Sequence, residues 1–236
     1  MNTFVDSSEI RDSCSECTVR EHCLAKHLPA AELRSIHGGR KRFEKGRYLL
    51  RQGDPVPYVY SIQTGCAKSY TNTISADEPT RQFYYPGDIV GLDAFVQQES
   101  PVNIVALQDC HVCAFPLLAL KATTQRVPGA QDYIVKSFAH TATQAYELSI
   151  VASAEKRLAG FFVDFAERQA GLGFSRSSFE LPMSRLEIAN YLRLAHETVS
   201  RVLSSLRRKQ LMQVSARSVH IMAFDALTEI ADGTHD

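Results

Sequence analysis

Three cysteines stand close together near the N-terminus, with the spacing Cys14-x2-Cys17-x5-Cys23. A thiolate is a soft anionic ligand. Three of them on a short polar segment without helical or strand period can reach one centre without help from the fold, so the spacing points to a metal or iron–sulfur site. A second chemistry lies near the C-terminus. Arg176, Arg185, Arg193, Arg201, Arg207, Arg208, Lys209 and Arg217 face only Glu180, Glu187 and Glu197 in that stretch. A local excess of cations suits phosphate contacts. The whole chain carries 26 basic and 26 acidic residues, and this balance argues against a protein that coats nucleic acid non-specifically.

The 236 residues can bury one large core or two modest ones, and the 44% hydrophobic, 22% charged composition is that of an ordinary globular protein. No apolar run approaches the roughly 20 residues of a membrane span. Met1 to Asp6 has neither a basic start nor an apolar core, so no signal peptide is expected. The expected location is the cytoplasm, where thiols stay reduced, and six cysteines there suggest metal or redox chemistry rather than disulfides.

The elements that must position these residues follow in chain order. From Phe43 to Phe115 the chain has the texture of short strands. Tyr58–Ile62 and Arg81–Tyr85 are β-prone, turns fall at Gly46, Gly53-Asp54, Gly65, Pro86-Gly87-Asp88 and Gly91, and Val102–Leu107 and Val112–Leu117 close the set. This pattern predicts a sandwich or jelly roll. Cys66, after Gly65, reads as a buried small apolar residue. From about Gln131 to Arg168, Ile134, Phe138, Ala142, Ala145, Leu148 and Ala152 recur at three- and four-residue steps. They predict one long helix with a narrow seam, suited to pairing with a second copy. Pro128-Gly129 breaks the chain before it, and Gly171-Leu172-Gly173 opens a linker up to about Glu180.

Ser184-Arg185-Leu186-Glu187 is a capping box and starts a short helix to Tyr191. After Leu192–Ala195, a second helix is expected from about His196 to Lys209. Val199, Val202, Leu203 and Leu206 face inward, and Glu197, Ser200, Arg201 and Ser204 lie on another face. Helix, tight turn and helix with exposed polar residues is the layout of a helix-turn-helix, and Leu211–Val214 and Ser218–Ile221 read as a wing.

Ser184–Leu192 followed by Glu197-Thr198-Val199-Ser200-Arg201 resembles the reader domain of the CRP/FNR regulators. The cysteine spacing, with Cys113 before Phe115-Pro116, and Ala154–Phe161 resemble the oxygen-sensing FNR branch. The likeness runs from Cys14 to about Ala226. It implies an α+β chain: a cluster loop over 1–30, a β-roll (jelly-roll, cyclic-nucleotide-binding-like) domain over 31–127, a dimerisation helix over 128–170 and a winged helix-turn-helix over 171–236. It further implies a homodimer with a [4Fe–4S] cluster on Cys14, Cys17, Cys23 and Cys113, and RNA polymerase as a further partner. The residues themselves leave another ligand set open. Cys110-x2-Cys113 is a metal-knuckle spacing, so Cys14, Cys17, Cys110 and Cys113 could hold zinc tetrahedrally.

In the implied dimer, two recognition helices enter successive major grooves of double-stranded DNA, and the operator is an inverted repeat of FNR-like half-sites. Arg201 suits a bidentate contact to guanine, Glu197 accepts from cytosine N4, and Ser200 can use either base edge. His196 sits where flanking bases are read, and Arg207, Arg208 and Lys209 suit phosphates. Ala195 leaves the second helix without a polar N-cap. A cyclic-nucleotide ligand is not expected, because Gly91–Phe95 and Glu99–Asn103 contain no Arg to offset a phosphate. Nor is an enzyme of cupin type, because the β-half offers only His111 as a metal-ligating histidine.

Overall fold

The computed structural model describes residues 14, 16–72, 80–148 and 152–234. The chain divides into two compact units, Met1–Thr143 and Gln144–Asp236. In the first, the described residues build two four-stranded antiparallel sheets. One runs β1 (Arg40–Phe43), β8 (Cys110–Pro116), β3 (Tyr58–Thr64), β6 (Ile89–Val90). The other runs β2 (Tyr48–Leu50), β7 (Asn103–Ala106), β4 (Ala67–Tyr70), β5 (Thr80–Tyr84). Val59, Ile62, Val90, Ile104, Val112 and Phe115 are fully or almost fully buried in one apolar core between these elements. This is the jelly-roll architecture that alternating short strands predict.

Two 3-10 turns, Arg20–His22 and Leu24–His27, and helix α1 (Ala30–Ile36) lead into β1. Leu24, Leu28 and Ile36 anchor this lead-in to the core. Short α2 (Ala94–Gln97) follows β6, and α3 (Leu117–Arg126) follows β8.

The single helix expected over 128–170 is two helices. α4 runs Pro128–Glu147 and α5 runs Ala154–Gly171. Ser153 has left helical geometry (φ −60°, ψ 152°), and its hydroxyl accepts the Lys156 N–H as the N-cap of α5. The expected helical residues 149–151 lie outside the described residues, as do residues 1–13 of the expected N-terminal loop. Pro128 does not precede α4 but occupies its first position, where its missing N–H costs nothing.

α5 belongs to the core of the second unit. Leu158, Phe161, Phe162, Phe165 and Ala166 are its buried face, with Phe161 and Phe162 edge to face at 5.3 Å between ring centroids. They pack with Leu227 and Ile230 of α8 (Phe224–Asp232), an additional helix closed by Gly233 at φ 77°. The stretch 171–180 is not a free linker. Its end forms β9 (Ser178–Glu180), which pairs antiparallel with β11 (Ser218–Ile221), itself paired with β10 (Met212–Ser215). The wing is therefore three-stranded.

Candidate cysteine centre and nucleic-acid interface

The structure brings Cys14, Cys17, Cys23 and Cys113 to the wall of one hollow. Three come from the N-terminal turns and the fourth from the middle of β8, so the fold supplies a meeting point that the chain order does not. Cys23 is buried, and the other three are half-buried. Backbone bonds fix the lead-in: Arg20 N–H donates to Cys17 O, Cys23 N–H to Arg20 O, and Lys26 N–H to Cys23 O. Val19, Arg20, Ala25, His37, Arg40, Ser61, Ile62, Gln63 and Phe115 complete the lining.

The electrostatics of the hollow suit soft anions that gain a cationic partner. Burial pushes the Cys113 thiol up to about 12, with Cys14 adding to the rise and the Arg40 guanidinium opposing it. Burial likewise raises Cys14 and Cys23, with Cys17 adding to both. Four thiolates held this close repel one another, and iron bound among them would relieve that repulsion. Gln63 Nε2 already donates to Cys17 Sγ at 3.7 Å. Among the described residues, no three His, Cys, Asp or Glu groups stand at the spacing of a single-ion site. A four-iron cube takes one thiolate at each iron, so its ligands stand farther apart than those of one ion.

Cys110 goes elsewhere. It and Cys113 are three residues apart on β8, whose register with β1 is regular from Arg40↔Cys113 to Phe43↔Cys110. Side chains three apart on a strand point to opposite faces. Cys110 is fully buried in the core, and its thiol lies 3.3 Å from Cys66 O and from Gln108 O. The zinc set of Cys14, Cys17, Cys110 and Cys113 would need the strand to break. Cys66 is 2% exposed, as a small apolar residue would be.

The cysteine turns are clamped against α4. A Cβ on Gly129 would meet His27 O at 3.0 Å, and one on Gly87 would meet His22 Cβ at 2.9 Å. Tyr133 Oη donates to Gly87 O at 2.9 Å, and its ring centroid lies 5.1 Å from that of His27. Of the expected seam, Ile134 is a correction: it is 5% exposed and packed in the core of its own unit, with no surface left for a partner. Phe138, Ala142 and Ala145 are exposed, and Val135, not singled out in the sequence, joins their stripe at 58% exposure. Leu148, whose N–H still donates to Gln144 O, is half-buried just past the end of α4, and Ala152 is half-buried just ahead of α5.

In the second unit, α6 (Arg185–Leu192) has the full capping box. Glu187 N–H donates to Ser184 Oγ at 3.2 Å, and Ser184 N–H to the Glu187 carboxylate at 2.7 Å. Arg193 at φ 55° closes the helix, and Arg157 from α5 donates to Leu192 O. α7 (His196–Arg208) follows α6 after three residues, with Ala195 as an N-cap that makes no side-chain bond. Val199 and Leu206 are buried beneath it. His196, Glu197, Arg201, Arg207 and Arg208 are exposed, and Ser200 is half-buried on the same helix.

The expected basic face is smaller than the residue count. Lys209 pairs with Glu155 at 2.8 Å, Arg185 and Arg217 donate to Val214 O and Pro182 O, and Arg176 lies over the Phe224 ring. Arg193, Arg201, Arg207 and Arg208 carry the exposed cationic surface of this turn and helix. Sequence reasoning also missed His37, Arg40 and Gln63 around the cysteines. They reach the hollow from α1's end, β1 and β3, and nothing in their own spacing signals it.

Comparison with known proteins agrees with the fold of both units. Residues 40–126 match the cyclic nucleotide-binding domain family, and residues 156–230 match the Crp-like helix-turn-helix domain family. The chain belongs to the CRP/FNR family of transcription regulators, in its FNR-type branch. It is 31% identical over 229 residues to the fumarate and nitrate reduction regulatory protein of Escherichia coli K12, with 94% of this chain and 92% of that protein covered. It is 30% identical over 223 residues to the anaerobic regulatory protein of Haemophilus influenzae, covering 92% and 87%. The fold resembles that of FixK2 from Bradyrhizobium japonicum, with a TM-score of 0.72 at 24% identity, over 81% of this chain and 96% of that one. The Escherichia coli and Haemophilus influenzae relatives are both named as regulatory proteins. No described helix is long and apolar enough to cross a membrane.

Proposed function

We propose that this chain is an oxygen-responsive, DNA-binding regulator whose Cys14, Cys17, Cys23 and Cys113 hold a [4Fe–4S] cluster. The observation that carries the reading is the convergence of these four thiols, and not Cys110 or Cys66, on one hollow. The names of the relatives, anaerobic regulation and fumarate and nitrate reduction, support oxygen as the signal. A four-thiolate cluster near the surface supplies an oxygen-labile group.

The residues of the chain then do the coupling. While their sulfurs are drawn to one centre, the turns from Cys17 to His27 stay seated on Gly87, Gly129 and Tyr133, at the start of α4. Released, they loosen that seat. The exposed stripe Val135, Phe138, Ala142 and Ala145 forms the homodimer seam. Two of its four residues are alanines, which bury little area, so a coupling of about 1–3 kcal/mol can shift the monomer–dimer balance. In the dimer, Arg201, Glu197 and Ser200 read an inverted repeat of FNR-like half-sites, His196 faces flanking bases, and Arg207 and Arg208 hold phosphates. The protein works in the cytoplasm with RNA polymerase as a partner and without cAMP. In the β-roll, Asn103 is spent on Gln52 N–H and Asn72, and Ser100 on Val102 O.

The experiment is sedimentation of anaerobic and air-exposed protein, with operator binding measured on the same samples. The expected result is a dimer that binds DNA without air and a weakly binding monomer after air. An oligomeric state and affinity indifferent to air would overturn the reading.

A further inference from the structure

His37 is placed to act on the cysteine centre without being one of its ligands. It closes α1, where its N–H donates to Leu33 O. The next two residues grip β8 beside Cys113: Gly38 N–H donates to Ala114 O at 2.8 Å, and Ala114 N–H donates to Gly39 O at 2.9 Å. A Cβ at 38 would crowd that approach, meeting Ala114 O, Tyr58 and Pro116 at 3.1–3.3 Å. The ring is therefore held by backbone, edge to face against Phe115 at 5.6 Å, and it lines the hollow that the four cysteines share.

The two ring nitrogens differ. Nδ1 accepts the Gly39 N–H at 3.1 Å, so a neutral ring carries its proton on Nε2. Burial favours that neutral form, with the Arg40 charge adding to the preference. Nε2 is buried and has no hydrogen-bond partner among the described residues. Native interiors rarely leave a buried donor unmet, and such exceptions occur where an ion or group belongs. Sulfurs are the most numerous side-chain acceptors along the hollow, beside the oxygens of Ser61 and Gln63, and Gln63 shows one side-chain N–H already aimed at Cys17 Sγ.

We propose that His37 is a positioning residue of the cysteine centre, donating from Nε2–H to a sulfur there and setting how readily the centre is oxidised. The inference rests on the cluster reading above. An N–H···S bond draws charge from the sulfur and favours the more reduced state, so its loss lowers the potential and speeds oxidation. The ring also supports Gly39, a purely structural role, so the test needs readouts that packing alone does not move.

The test uses the full-length protein, loaded with iron and sulfide without air. His37→Phe keeps the ring and removes the donor, whereas His37→Gln keeps an N–H near the Nε2 position. Circular dichroism monitors the fold. H37F is expected to lower the reduction potential and to bleach in air on the order of tenfold faster, while H37Q stays near the wild type. In the wild type with 15N-labelled histidine, pulsed EPR of the one-electron-reduced sample is expected to show a nitrogen coupling, a readout independent of any variant's folding. Wild-type potential and bleaching in a natively folded H37F, an H37Q displaced as far as H37F, or no histidine coupling in the wild type would each overturn the proposal. If the wild type itself takes up no cluster, the underlying reading falls, and the inference with it.

Discussion

The cysteine hollow and the second helix of the helix-turn-helix, α7, are built in opposite ways. The hollow gathers thiols from turns at 14–23 and from a strand ninety residues on at Cys113, across a roll whose registers set the meeting point. Helix α7 presents Glu197, Ser200 and Arg201 from one turn of backbone, over a core in which Val199 and Leu206 are fully buried. One site exists only when the tertiary fold is complete. The other needs little more than a helix and something apolar beneath it. A signal acting on the first can therefore loosen it while the second stays folded, as a regulator requires.

The largest expected effect separates the two cysteines of β8. Cys113→Ser should abolish iron and sulfide uptake while the second unit keeps its fold, and Cys110→Ala should retain uptake. Metal analysis beside circular dichroism reads both. Equal loss in the two variants would break the contrast between hollow and core. Leu206→Ala should destabilise the second unit by about 2–5 kcal/mol, since it empties a fully buried site. Denaturant melts should show this without any change in iron content. If the iron were lost as well, the two sites would not be independent.

Arg201→Ala should weaken operator binding by about 1–3 kcal/mol and relax preference at one guanine. Arg207→Ala should weaken all sequences alike and flatten the salt dependence. Titrations at two salt concentrations with a mutated half-site distinguish them. Tyr133→Phe, which removes the bond to Gly87 O, should cost about 0.5–1.5 kcal/mol in stability of the first unit. It should also weaken the dependence of dimerisation on cluster loading, read by sedimentation; unchanged coupling would remove Tyr133 from the route between the cysteine turns and the seam.

What was legible in the sequence follows the same division. Ser184 and Glu187 announce α6 by a reciprocal pattern three residues apart, and the spacing of Val199 and Leu206 orients α7, because these signals are local. The break in the long helix was hidden. Ser153 caps α5, but its third helical residue is Lys156, so no capping box marks the start, and the flanking alanines continue the helical period. β9 is three residues long and exists through its pairing with β11. α8 did carry a signal, Gly233 after Leu227 and Ile230, that could have found it. Cys14, Cys17 and Cys23 declare a site by spacing. The place of Cys113, the exclusion of Cys110 and the presence of His37 depend on strand parity and on backbone bonds between distant segments. No local pattern encodes those.

The central claim, four thiolates around one iron–sulfur cluster, is tested most directly by purifying the protein without air. Iron and sulfide would be assayed and the visible spectrum recorded before and after air is admitted. The account predicts about four irons per subunit, a broad sulfur-to-iron absorption band, and bleaching in air. A colourless protein carrying zinc or no metal, with a spectrum indifferent to air, would contradict it.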